Sequence, residues 1–118
     1  MKIAIPVEEN RKDVCASFGR APWFLFYNTD TGEKTWMENP AAQSQGGAGL
    51  QAAQFVADQG SGAVITVRCG QNGAEVLRAA EISIYRGDEA EAEDCLRAFE
   101  ENRLELLTRF HAGFQGIQ

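Results

Sequence analysis

The chain has 118 residues, a mass of 12.9 kDa, a formal net charge of −6 and a pI near 4.7. This length favours one domain, residues 1–118, with a single core. The acidic balance and the scattered basic residues argue against nucleic-acid binding, which needs clustered Lys and Arg. Because no apolar run approaches the ~20 residues of a membrane span and no secretory leader opens the chain, we expect a cytoplasmic protein without a membrane partner.

Three short segments at the start of the chain have strand character. Ile3, Ile5 and Val7 alternate on one face of the first strand, which is predicted to end near Pro6. The aromatic run 23–27 predicts a second strand, and a turn at 28–32 pairs it with residues 33–38 as an antiparallel hairpin. Asn39 and Pro40 are predicted to end this hairpin.

The middle of the chain predicts a βαβ unit. A glycine-rich loop, residues 41–49, leads into a first helix, with Gly60 as the residue just past its end. A strand at 63–67, a helix at 74–80 with Asn72 as its N-cap and a strand at 82–85 then suggest a right-handed crossover.

The last third of the chain reads as helix. Asp88 is predicted to cap it and Glu91 to complete a capping box. An apolar stripe from Ala92 to Phe110 predicts one long helix, or two collinear ones, as far as Gly113. Residues 112–118 are expected to be a loose tail.

The stretch 63–80 is the first candidate site, because a strand, a Cys-Gly turn and a helix follow one another directly. Such a junction directs free backbone N–H groups and a helix dipole toward an anion. Cys69 would then be a metal ligand or nucleophile whose pKa Arg68 lowers, or simply an inert, half-buried thiol. Gly70 and Gly73 are most simply explained as tight-turn residues.

The loop after the first strand carries a second thiol, Cys15. If the first and fourth strands are parallel neighbours, Cys15 and Cys69 emerge at the same sheet edge, as two ligands or as a disulfide switch. The run Gly46, Gly47 and Gly49 opens the first helix, where its N–H groups can cradle an anion or form only a flexible loop.

The other reactive residue types argue against catalysis. The three cysteines are widely spaced, so neither a disulfide framework nor a C-x-x-C zinc site is predicted. Cys95 lies beside the apolar stripe and is expected to pack in the core. His111, the only histidine, lies at the end of the predicted last helix, so Ser17 and Ser44 lack a convincing general base.

The chain resembles the dinitrogenase iron–molybdenum cofactor biosynthesis family, to which NifX and the C-terminal domain of NifB belong. The resemblance spans residues 1–86, and its most specific part is the segment F-G-R-A-P-W-F, residues 18–24, in register with the N-terminal strand. It implies an α/β, three-layer ribonuclease-H-like fold: a mixed five-stranded sheet with an antiparallel hairpin and helices on both faces.

The resemblance also implies a non-enzymatic carrier of iron–molybdenum cofactor or a related metal–sulfur cluster, with cluster donor and acceptor proteins as partners. The turn at Arg68, Cys69 and Gly70 is similar to a cysteine turn of cofactor-binding members. Family members often carry histidine at the position of Ser17, and Cys15 is a candidate replacement. The alternative is a regulatory module of the same fold that binds a small anion or a protein without metal. We expect a monomer or weak dimer.

Overall fold

The computed structural model describes residues 1–88, 90–108 and 110. Strands and helices follow one another along this part of the chain. They are β1 (Lys2–Val7), β2 (Trp23–Asn28), β3 (Lys34–Glu38), α1 (Ala48–Asp58), β4 (Ala63–Thr66), α2 (Gln71–Ala79), β5 (Ser83–Arg86) and α3 (Ala92–Glu100). The strands form one mixed sheet in the order β3-β2-β1-β4-β5.

Strand β1 is central, antiparallel to β2 and parallel to β4. Its pairing with β4 covers only Ile3 and Ala4, so the missing N–H of Pro6 falls beyond that ladder and the strand runs on to Val7. The predicted hairpin is confirmed by the antiparallel pairing of β2 with β3. The predicted parallel unit of β4, α2 and β5 is likewise confirmed.

Both faces of the sheet are covered by helices. Ile3, Ile5 and Val7 belong to a core cluster with α3, whereas Ala4 points to the opposite face and packs with α1 and α2. This alternation confirms the α/β, three-layer arrangement of a mixed five-stranded sheet; the ribonuclease-H-like label stays a prediction. Within the described residues, no helix is long and apolar enough to cross a membrane.

Two predicted helix starts are wrong. Helix α2 begins at Gln71 with Gly70 at its N-cap, so Asn72 lies inside the first turn and caps nothing. Helix α3 begins at Ala92, and Glu91 occupies the N-cap without a side-chain hydrogen bond, so no capping box with Asp88 forms. In both helices the residue before the first turn is extended, at φ −76° in each case.

The prediction of a long last helix is also wrong. Helix α3 ends at Glu100, and Asn102 at φ 59° turns the chain back. The following residues run beside β5, where the Arg86 N–H donates to the Glu105 carbonyl (2.8 Å) and the Leu107 N–H donates to the Ile84 carbonyl (2.9 Å). The unpaired N–H and C=O groups at the edge of β5 thus bond to a segment that the apolar stripe predicts to be helical. His111, Gly113 and the tail at 112–118 lie outside the described residues.

Candidate anion and cluster site

A cavity of about 540 Å³ lies at the carboxyl ends of β1 and β4. It is lined by residues 16–20 after β1, residues 45–50 at the start of α1, and residues 68–70, 72 and 73 at the start of α2. Ser17 and Arg68 form a parallel bridge that joins the first and third of these segments. Since open α/β sheets bind ligands at the carboxyl ends of their strands, this cavity is the candidate site.

Two helices begin at the cavity, and neither has a side-chain cap. Gly47, in the left-handed conformation at φ 69°, precedes α1, and Gly70 precedes α2. The earliest intrahelical bonds run from the Gln51 N–H to the Gly47 carbonyl (2.9 Å) and from the Ala74 N–H to the Gly70 carbonyl (3.0 Å). The N–H groups of the preceding first-turn residues have no intrahelical acceptor, so both helix dipoles present their positive ends here.

Close backbone packing of three glycines brings these segments together. A β-carbon on Gly19 would lie 2.7 Å from the nitrogen of Gly49, and one on Gly73 would lie 2.9 Å from the Gly49 carbonyl oxygen. The expectation that Gly70 and Gly73 serve as tight-turn residues is wrong, because Gly70 is extended and Gly73 lies within α2. Gly73 instead allows the first turn of α2 to approach α1 closely.

A buried asparagine fixes the loop that carries Gly19. The Asn39 side-chain amide donates to the carbonyls of Gly19 (3.1 Å) and Ala21 (2.9 Å). Its carbonyl oxygen accepts from the Ala41 N–H (2.9 Å). Asn39 therefore holds the segment after β1 against the segment that leads to α1 by satisfying backbone groups of both.

Cys69 is the one thiol on the cavity wall. Its side chain is only 1% exposed, and its Sγ lies 3.6 Å from the Gly70 carbonyl oxygen. Burial raises the pKa of Cys69 to about 11, and the charge of Arg78 offsets this in part. The expectation that Arg68 lowers the Cys69 pKa is therefore wrong for the ligand-free fold. The thiol is neutral near pH 7, and a metal that binds it must displace the proton.

Cys15 occupies a different place. Its N–H donates to the Pro6 carbonyl (2.9 Å), and its side chain is buried but does not line the cavity. Burial raises the pKa of Cys15, and the backbone of Ser17 opposes this shift while Glu8 adds to it. All three cysteines are free thiols. Cys95, a residue of α3, packs in the core, as predicted.

The structure brings most of the predicted site residues to one cavity. The lining includes seven of them, namely Ser17, Gly46, Gly47, Gly49, Arg68, Cys69 and Gly70. Sequence reasoning missed Arg20, Gly19 and Gly73 as site residues, although Gly19 and Arg20 belong to the F-G-R-A-P segment that carries the family resemblance. Among the lining residues Cys69 is the sole cysteine, histidine or carboxylate. Nor do the described residues elsewhere form a group of three or more such side chains that could hold a metal ion.

Fold and cavity together define a small α/β domain with a thiol and two helix N-termini around one cavity at the carboxyl ends of its parallel strands. The chain belongs to the dinitrogenase iron–molybdenum cofactor family, whose model matches residues 1–102. This confirms the resemblance found in the sequence. Family membership supports a role in binding related to the iron–molybdenum cofactor.

Three relatives, two of them of known structure, match most of the chain. A candidate NifB protein from Thermotoga is 32% identical with a TM-score of 0.78, covering 92% of this chain and 95% of its own. The apo form of the orange protein from Desulfovibrio gigas is 26% identical with a TM-score of 0.84, covering 91% and 92%. An uncharacterized protein of Methanocaldococcus jannaschii is 31% identical over 108 residues, 89% of this chain and 90% of that protein.

Proposed function

We propose that this protein binds an iron–molybdenum cofactor or a related metal–sulfur cluster in the cavity and carries it between donor and acceptor proteins, without catalysing a reaction. The observation that carries the proposal is the convergence of two uncapped helix N-termini and the Cys69 thiol on one cavity. The family to which the chain belongs supports the same kind of cargo and cofactor-handling partners.

The donor set suits a cluster that arrives already assembled. A single zinc or iron ion is usually held by about four ligands, whereas the cavity lining contains one thiol and no histidine or carboxylate. A preformed cluster brings its own sulfides, which accept hydrogen bonds from backbone N–H groups and carry negative charge. The volume of about 540 Å³ falls within the roughly 300–1,000 Å³ of ordinary ligand sites.

Cys69 is the proposed metal ligand, and the glycine segments supply the N–H groups. Because burial raises the pKa of Cys69 to about 11, ligation near pH 7 releases one proton, and cluster affinity should rise with pH. Cys15 is the second ligand that the sequence suggests. It lies outside the cavity lining, so a Cys15→Ser variant tests it separately.

Anaerobic reconstitution with iron, sulfide and molybdate, and in parallel with the molybdenum–sulfur dianion tetrathiomolybdate, tests the proposal. Bound metal per chain is measured after gel filtration. Wild type should retain metal, and Cys69→Ser should weaken retention about tenfold or more, the effect of losing ~1.4 kcal/mol of interaction. Cys95→Ser, which alters a buried thiol on the opposite face of the sheet, is the matched control and should behave as wild type.

Three outcomes are decisive. Wild type that retains neither iron nor molybdenum overturns the cluster-binding function. Equal retention by wild type and Cys69→Ser overturns the ligand assignment and leaves binding to the backbone N–H groups. A loss in Cys15→Ser that matches the loss in Cys69→Ser establishes Cys15 as the second ligand.

One observation favours a second candidate, a small-anion regulatory module without metal. The Cys69 thiol is protonated near pH 7, while Arg20 and Arg68 line the same cavity, and guanidinium groups are suited to binding oxyanions without any thiolate. Calorimetric titration with molybdate, sulfate and phosphate separates the two. Tight binding of these anions, unaffected by Cys69→Ser and accompanied by no retention of cluster metal, would establish this second function.

A further inference from the structure

Arg20 connects two walls of the cavity. Its backbone N–H donates to the Ser17 hydroxyl oxygen (3.3 Å), which holds it in the segment after β1. Its guanidinium donates to the carbonyls of Ala42 (3.3 Å) and Ser44, in the loop that precedes α1. One side chain therefore links the segment after β1 to the glycine-rich loop that leads into α1.

The tip of the loop that Arg20 contacts makes few other hydrogen bonds to the rest of the protein. The Ser44 hydroxyl donates to the Gly46 carbonyl (2.6 Å) and accepts from the Gln51 side-chain amide (3.1 Å), both within the loop and α1. Residues 45–47 are exposed, and a β-carbon on Gly46 or Gly47 would meet nothing within 4 Å. The Arg20 contacts are therefore the tie between the loop tip and the opposite wall of the cavity.

The guanidinium makes these bonds with neutral acceptors. In the described part of the chain, no ion pair involves Arg20, although acidic residues outnumber basic ones 17 to 11. Only the donor is charged in these bonds, whereas an anion adds the attraction between opposite charges and can accept two parallel N–H bonds from the guanidinium. An anion entering between the two helix N-termini would therefore compete successfully with the Ala42 and Ser44 carbonyls for Arg20.

We propose that Arg20 is the loading clamp of this site. Before cargo binds, it ties the loop to the segment after β1 by holding the Ala42 and Ser44 carbonyls. Anionic cargo takes over the guanidinium, which releases the loop at 41–47 and admits the cargo to the N–H groups of α1 and α2. This inference rests on the proposed anionic cargo, and it assigns to Arg20 both selection for negative charge and control of the loop.

Amide hydrogen exchange of Ala42 and Ser44, followed by NMR with and without tetrathiomolybdate, tests the clamp. The Ala42 N–H donates to the Asn39 carbonyl (3.2 Å) and the Ser44 N–H donates to the Ala41 carbonyl (3.0 Å), so their exchange reports loop opening. In wild type, exchange of both amides should accelerate several-fold when tetrathiomolybdate binds. In Arg20→Gln it should be fast already and unchanged by the ligand.

Affinity gives a second readout. Arg20→Gln should weaken tetrathiomolybdate binding about tenfold and flatten its dependence on salt, because one cationic contact is lost. Arg20→Lys, which keeps the charge but not the two-pronged geometry, should fall between wild type and Arg20→Gln. Arg97→Gln removes one exposed arginine from α3 and is the matched charge control, expected to leave both readouts unchanged.

The outcomes separate the clamp from the proposed function. Equal exchange of Ala42 and Ser44 in wild type and Arg20→Gln overturns the clamp, even when tetrathiomolybdate binds normally. Failure of wild type to bind either tetrathiomolybdate or reconstituted cluster overturns the proposed function, and the release step with it. An unchanged thermal midpoint confirms that Arg20→Gln is folded, as expected for an exposed side chain.

Discussion

Gly19 and Gly49 touch backbone to backbone, since a β-carbon on Gly19 would lie 2.7 Å from the Gly49 nitrogen and 2.9 Å from its α-carbon. Neither neighbour is a flexible side chain that can move aside. Gly19→Ala must therefore displace the first turn of α1. We expect this to lower the free energy of unfolding by about 1–3 kcal/mol, measured by urea titration, and to weaken cargo binding as well.

Gly46→Ala is the control for that substitution. A β-carbon on Gly46 meets nothing within 4 Å, and its φ lies outside the left-handed region. Its free energy of unfolding should be unchanged or raised by up to about 1 kcal/mol, because alanine restricts the unfolded chain. Equal stability of Gly19→Ala and wild type would show that this backbone contact contributes nothing to the fold.

Asn39 is expected to be the most sensitive polar residue near the site. Asn39→Asp removes both donors and aims a carboxylate at the carbonyl oxygens of Gly19 and Ala21. The free energy of unfolding at pH 7 should fall by about 2–4 kcal/mol. Protonation restores one donor, so the deficit relative to wild type should shrink when the urea titration is repeated near pH 4.

Asn72→Asp provides the comparison, because Asn72 is exposed in the first turn of α2. A carboxylate there interacts favourably with the helix dipole, by about 0.3–1 kcal/mol. An equal change in the free energy of unfolding for Asn39→Asp and Asn72→Asp would mean that the hydrogen bonds from Asn39 to the backbone do not contribute measurably to stability.

The alkaline stability of the fold should depend on Cys69. Burial raises its pKa to about 11 from the ordinary 9.0, so the folded protein holds the thiol proton more tightly than the unfolded chain does. This contribution is complete below about pH 9 and is lost as the pH rises toward 11. Between about pH 8 and pH 10.5, Cys69→Ala should therefore lose about 2 kcal/mol less stability than wild type.

The comparison is made between pH profiles, so any constant cost of the alanine substitution cancels. A second stability–pH profile is measured for Cys95→Ala. Because burial also raises the pKa of Cys95, this variant should likewise lose less stability at high pH than wild type. Parallel profiles for wild type and Cys69→Ala would contradict a buried, protonated Cys69.

Local patterns were enough to predict the strands and the β2–β3 hairpin, while the mixed five-stranded sheet followed from the family resemblance. The alternation of Ile3, Ile5 and Val7 indicates which face of the central strand is packed with α3, and the turn residues at 28–32 predict the β2–β3 hairpin. The end of α3 was not predictable in this way, because the apolar stripe continues beyond Glu100 with helical spacing. Only the open edge of β5, a product of the assembled sheet, explains why the chain leaves the helix and pairs there.

The site was only partly visible in the sequence for a similar reason. The Cys69 turn and the glycine-rich loop are local motifs, and parallel pairing of β1 and β4 brings their neighbourhoods together. The roles of Gly19, Gly73 and Arg20 depend on contacts with residues 22 or more positions away. The buried state of Cys69, which raises its pKa, depends likewise on packing that no short motif specifies.

Gly49→Asp should separate the stability of the fold from cargo binding. A β-carbon on Gly49 points into open space, and α1 has no acidic residue in its first turn. An aspartate there should raise the free energy of unfolding by about 0.3–1 kcal/mol through the helix dipole. The same carboxylate would line the cavity and repel an anion, so tetrathiomolybdate affinity should fall tenfold or more, which corresponds to a loss of about 1.4 kcal/mol or more in binding free energy.

Gln71→Glu is the control, because it adds the same charge to the first turn of α2 but lies outside the cavity lining. It should reduce affinity far less. Unaltered affinity in Gly49→Asp would exclude the α1 N-terminus from the binding site.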